Sequence, residues 1–89
     1  MDSFEIEFKR SAEKDLRRIT SSSVREILER IEALTENPFP RQSQKLKGTQ
    51  ATYRLRAGEY RAIYQVDVGA KTIMIYYIRH RKDVYRRIE

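Results

Sequence analysis

The chain has no cysteine, and its only imidazole belongs to His80. That excludes a disulfide staple, a thiolate metal site and a cysteine nucleophile. A zinc site would have to be built mostly from carboxylates, an uncommon donor set. The three glycines form no phosphate-cradling loop. The acidic residues gather in the helical half, so neither a carboxylate pair nor a Ser/His/Asp set is in evidence. No apolar run approaches the roughly 20 residues that a membrane-spanning helix needs. The first residues, MDSFEIEFKR, lack the apolar core of a signal peptide. These absences predict one soluble, cytoplasmic domain spanning residues 1–89, with no cofactor, no metal and no membrane partner.

Charge is abundant instead. Charged residues make up 36% of the chain and apolar residues 39%, a lean core with a charged fraction well above the usual quarter. Residues 1–40 hold 7 Lys/Arg against 9 Asp/Glu, whereas residues 41–89 hold 12 against 4. The second half is therefore strongly basic, with an excess of cations that points to a polyanionic partner. All six tyrosines lie in that same half.

The pattern of apolar residues sets out the elements. FEIEF (residues 4–8) alternates at period 2 and predicts a half-buried strand. Ser11 offers an N-cap for a short helix carrying Ala12, Leu16 and Ile19 on one side. Ser23 and Glu26 form an S-x-x-E capping box, which predicts the start of a second helix with Val24, Ile27, Leu28, Ile31 and Leu34 at helical spacing. Asn37-Pro38 ends it. So short a link predicts an antiparallel helical hairpin. PFPRQSQKLKGTQA is turn-like and polar, and is expected to be a loop. TYRLR (52–56) and YRAIYQVD (60–67) flank Ala57-Gly58-Glu59 as a β-hairpin. TIMIYYI (72–78) is a near-continuous apolar run of the kind that fits a central strand. The tail from Lys82 to Glu89 is expected to be a short helix. The order β-α-α-β-β-β predicts an α+β domain, an antiparallel sheet with an N-terminal two-helix hairpin packed on one face.

Alternation also places the cations. If Tyr53 and Leu55 face the helices, Arg54 and Arg56 project from the open face. Whether Arg61 joins them depends on the register of the turn, which the pattern leaves open. Arg79 and Arg81 leave the last strand on a common side, with His80 pointing away. Lys45 and Lys47 precede the hairpin. A basic surface built from three strands and a loop is expected, and arginine is the side chain suited to bidentate phosphate contact. Tyr85 follows the last strand on a basic segment, where its ring is placed to stack on a base or its phenol to move a proton.

The stretches FKRSAEKDLRRI, KLKG, YRLRAGEYRAIYQVD and YIRHRKDVYRR together resemble the RelE toxins of the RelE/ParE toxin–antitoxin superfamily, over nearly the whole chain. The resemblance implies an endoribonuclease that cleaves mRNA in the ribosomal A site and is silenced by a cognate, RelB-like antitoxin in a hetero-oligomer. Carried onto this chain, it implies a catalytic role for Arg56, Arg61, Arg79 and Tyr85. Lys45, Lys47, Arg54 and Arg81 would hold RNA. The best-known members have lysines where this chain has Arg54 and Arg56, and an arginine stays charged where a lysine can exchange a proton. Two other readings remain open: a ParE-like inhibitor of DNA gyrase, and an RNA- or ribosome-binding module without catalysis.

Overall fold

The structure, a computed structural model, describes residues 3–49 and 51–83. The elements run β1 (Glu5–Phe8), α1 (Arg10–Arg17), α2 (Ser21–Glu32), β2 (Ser43–Lys45), β3 (Thr52–Ala57), β4 (Tyr60–Asp67) and β5 (Thr72–His80), with one 3-10 turn at Ala33–Thr35. The five strands form one sheet in the order β1-β5-β4-β3-β2. Three pairings are antiparallel, and β1 runs parallel to β5. The sheet is thus mixed where an antiparallel one was expected. After β1 the chain passes through both helices and re-enters the sheet at its far edge, so β1 is left beside the last strand, pointing the same way. Local periodicity does not encode that choice of neighbour.

Three local expectations are corrected. Residues 43–45, read as loop, form β2 by pairing with β3. The second helix starts at Ser21 after Thr20, without a side-chain cap bond. Glu26 does not reach back to Ser23 as a capping box requires; its carboxylate instead lies against Gly58 in the β3–β4 turn. Ser11 does not cap α1, which begins one residue earlier; its hydroxyl donates to the Tyr76 carbonyl at 2.6 Å. The C-terminal helix expected over 82–89 lies mostly outside the described residues, although 81–83 are helical.

Both helices cover one face of the sheet. Ile27, Ile31 and Leu34 meet Leu55, Tyr64, Ile73 and Ile75, all nearly or fully buried, and Phe4, Ile6, Leu16 and Tyr53 pack around them. Each fully buried aliphatic side chain contributes roughly 1.5–3 kcal/mol. Tyr64 is the largest fully buried residue; its hydroxyl donates to the Pro38 carbonyl at 2.7 Å, and its ring stacks on Tyr53.

A bulge changes the phase of β5. Ile63 pairs with Tyr77 but Tyr64 pairs with Ile75, which leaves Tyr76 as the extra residue. Ile73, Ile75 and Ile78 are all buried in the helix-facing core, so the core spacing goes from two residues to three across the bulge. Tyr77 and Arg79 are thereby directed to the open face.

Beyond Phe8, β1 no longer covers β5, and α1 takes over. Ser11 Oγ satisfies the Tyr76 carbonyl, and Asp15 Oδ2 accepts the Ile78 N–H at 2.9 Å. One helical turn between positions 11 and 15 advances about 6 Å, close to the roughly 6.6 Å of two strand residues. The two side chains therefore continue the ladder that β1 ends.

Burial pushes the Tyr64 phenol up from 10.0 to about 12, a nearby Ser43 hydroxyl opposing part of the shift. The folded state holds this proton to higher pH than the unfolded chain does. Its contribution to stability is therefore complete below pH 10 and is lost as pH rises from 10 to about 12. Urea unfolding midpoints should fall over that window in wild type and fall less steeply in Tyr64→Phe. Gly58 has φ +62, a left-handed conformation. Gly58→Ala should cost about 1–2 kcal/mol by the same measurement, and adding Glu26→Ala should recover only a minor share, since the carboxylate is the movable end of a flexible side chain.

Candidate nucleic-acid interface

The open face of the sheet carries a graded charge. At one end β1 and β4 contribute Glu5, Glu7 and Asp67, with Glu5 and Asp67 both paired to Thr72. At the other end, beside the β3–β4 turn, Arg56 pairs with Arg61 and Arg61 with Arg79. Directly cross-strand residues share a face and lie about 4.5–5.5 Å apart, so these three arginines form one row across β3, β4 and β5. The register that the sequence left open therefore brings Arg61 to Arg56. The next row runs Gln44, Arg54, Ile63 and Tyr77.

Ile63 is 3% exposed yet stands apart from the helix-facing core. It is an apolar floor under the basic rows. Arg54, Arg56 and Arg61 line a cleft of about 270 Å³ with Arg41, Gln42, Ser43 and Gln44. Among the described residues, four arginines and no carboxylate form this wall. Arg54 Nη2 donates to Gln44 Oε1 at 2.9 Å. Arg61 Nη1 donates to the carbonyls of Gly58 (3.0 Å) and Tyr60 (2.9 Å), which fixes its guanidinium beside the hairpin turn. These bonds, all to neutral acceptors, help to orient both guanidinium groups.

Arg79 belongs to the row through its backbone, but its side chain is held from the other side. Its guanidinium pairs with Asp15 of α1 and lies 4.7 Å from the centre of the Tyr77 ring. Arg81 does not share a site with Arg79. Its Nε meets Glu59 Oε1 at 2.9 Å, and its N–H donates to the Glu59 carbonyl. His80 points away from Arg79, as alternation predicts, and sits edge-on to Tyr60 with Nε2 3.9 Å from Glu59. His80 and Tyr60 border a second cleft, of about 390 Å³, with Asp15, Arg18, Arg79 and Asp83. Lys45 is opposite Tyr53 rather than Arg54, so strand alternation turns it from the arginine rows, and Lys47 lies in the exposed turn after β2. Tyr85 lies outside the described residues.

Four contributors escaped the reading of the sequence. Arg41 and Gln44 lie in the stretch read as loop, where the charge of Arg41 was the available signal. Ile63 was visible as an apolar residue on the same strand face as Arg61. Asp15 had no local signal, because its partner is 64 positions away.

The arrangement can hold a polyanion: the guanidinium groups are suited to bidentate phosphate contact, in a wall that has no carboxylate among the described residues. Among the described residues no cluster of His, Asp and Glu could hold a metal ion. Binding of single-stranded RNA should weaken steeply with salt. Arg54→Ala and Arg56→Ala should each reduce the slope of log K against log salt by about 0.7, the value for one phosphate left unneutralised on a single strand. Lys45→Ala, on the other face, should change it less; fluorescence anisotropy across a salt series reads all three.

Comparison with known proteins gives a consistent result. The family model of the ParE toxin of type II toxin–antitoxin systems (parDE) matches residues 6–85. A Methanocaldococcus jannaschii protein assigned as toxin RelE1 is 33% identical over 86 residues, covering 93% of this chain and 96% of its own. Toxin RelG of Mycobacterium tuberculosis is 26% identical, with 94% and 98% covered. Among solved structures, the archaeal RelE–RelB complex from Pyrococcus horikoshii superposes with a TM-score of 0.79 at 31% identity, over 89% of this chain and 96% of that one.

Proposed function

The chain belongs to the RelE/ParE family of type II toxin–antitoxin toxins as a RelE-type member, and from that premise we propose that it is an endoribonuclease that cleaves mRNA in the ribosomal A site. The observation that carries this reading is the row Arg56–Arg61–Arg79 beside an arginine cleft that contains no carboxylate among the described residues. RNA supplies its own nucleophile, the 2′-hydroxyl. In the proposed reaction the 2′-oxygen bonds to phosphorus, the P–O5′ bond breaks, one proton leaves the 2′-oxygen and one reaches the 5′-oxygen. The products are a 2′,3′-cyclic phosphate and a 5′-hydroxyl, so no other reactant enters.

The residues divide the work by position. Arg61, fixed by two backbone carbonyls, and Arg79, fixed by Asp15, stabilise the charge that builds on the phosphoryl oxygens. Arg56, the most exposed member of the row, hydrogen-bonds the leaving 5′-oxygen. Arg54 binds a neighbouring phosphate. Tyr85 orients the nucleophile or accepts its proton. Because arginine is a poor proton donor, the chemistry depends on alignment and charge stabilisation, which suits a substrate already held on the ribosome. This reading needs no metal, and it places the protein in the cytoplasm.

The solved RelE of P. horikoshii is bound to RelB, and we extend an antitoxin partner to this chain. Its net charge of +6 complements an acidic segment. An apolar groove of about 260 Å³ between β1 and α2, lined by Ile6, Phe8, Leu28 and Ile31, would receive that segment's hydrophobic side chains. The match to a ParE model favours one second reading, inhibition of DNA gyrase.

Primer extension on mRNA in a purified translating system separates the two. Wild type should cut within A-site codons. Arg61→Ala should lower the cleavage rate about 10²–10³-fold, and Tyr85→Phe should lower it as well. Intact mRNA together with arrested growth would reject the nuclease, and loss of supercoiling by gyrase would then support the ParE-like reading.

A further inference from the structure

Asp15 lies on α1, outside the arginine cleft, and its side chain is 15% exposed. Its Oδ2 accepts both the Ile78 N–H and the Arg79 Nη1. Arg79 is 26% exposed, and its guanidinium is covered by the Tyr77 ring. Carboxylate, ring and the β5 backbone together restrict a side chain that would otherwise sample many rotamers. Nη1 is the only donor so engaged; Nε and Nη2 have no partner among the described residues. Arg81 offers a contrast two residues on. Its Nε is already bonded to Glu59, in a pair whose members are 54% and 65% exposed, where solvent screening weakens the hold.

We propose that Asp15 is a positioning residue for Arg79: the carboxylate anchors Nη1 and leaves Nε and Nη2 for an RNA phosphate at the second cleft, which adjoins the Arg56–Arg61–Arg79 row. This inference rests on the ribonuclease reading above. Asp15 touches no reacting atom. It acts by removing the rotamer search that Arg79 would otherwise make on meeting the phosphate, so its effect falls on the rate of the bound complex rather than on binding.

The test is single-turnover mRNA cleavage on programmed ribosomes with toxin in excess. Asp15→Asn keeps an acceptor for the Ile78 N–H and removes the charge. It should lower the limiting rate about 10–100-fold, the scale of a misplaced catalytic group, with the half-saturating toxin concentration changed less than about threefold. In an Arg79→Ala background the same substitution should have no further effect, because Asp15 acts through that arginine. Equal losses in both backgrounds would show a merely structural role and overturn the proposal. A faster variant would overturn it too, showing that Asp15 restrains Arg79 instead of aiming it. The order parameter of the Arg79 Nε–H vector, measured by nitrogen-15 relaxation, gives a readout independent of chemistry. It should fall in Asp15→Asn while the thermal midpoint stays close to wild type. If wild type cuts no mRNA, the ribonuclease reading fails, and this order parameter alone judges the positioning: a fall upholds it, and no change rejects it.

Discussion

The bulge at Tyr76 decides which face of the sheet the end of β5 presents. Without the extra residue, strict alternation from Ile75 would turn Tyr77 and Arg79 toward the helices, and Ile78 would face solvent. An arginine directed into an apolar core lacks enough partners to offset its lost hydration. With the bulge, Ile78 closes the core and Arg79 emerges beside Arg61. A single unpaired residue therefore joins the hydrophobic core to the basic row, and neither is complete without it.

The same region solves a second problem. β1 is only four residues long, and the β5 backbone beyond it would be an open edge of the kind that invites unwanted pairing. Helix α1 covers it with Ser11 and Asp15, one turn apart, in place of a strand. Because the edge is closed by a carboxylate rather than by backbone, a charged anchor stands next to Arg79. Closing the sheet and holding the arginine are thus achieved by one side chain.

Electrostatics separate the two ends of the open face. Glu5, Glu7 and Asp67 occupy one end, and Arg54, Arg56 and Arg61 the other, with Ile63 beneath. Cations on adjacent strands repel, a cost that an anion in the cleft would relieve. The bonds from Arg54 and Arg61 to neutral acceptors supply orientation.

Much of this was legible in the sequence, for a physical reason. Periodicity reports which side of an element is buried, so the strands at 52–56, 60–67 and 72–78, the apolar face of the second helix and the outward Arg54 and Arg56 could all be read locally. Pairing is a property of distant segments. The parallel β1–β5 contact, the short β2 at the edge, the placing of Lys45 away from Arg54 and the partnership of Asp15 with Arg79 carry no local signature. Capping followed the same division: Ser11 and Glu26 have the residue types of helix caps, but tertiary neighbours, Tyr76 and Gly58, claimed their side chains. By itself, the sequence determined the two-layer α+β class and a strongly basic second half, because hydrophobic period and charge are written residue by residue. Only the tertiary structure decided which cations meet, because strand register, one bulge and the helix across an open edge fix those distances.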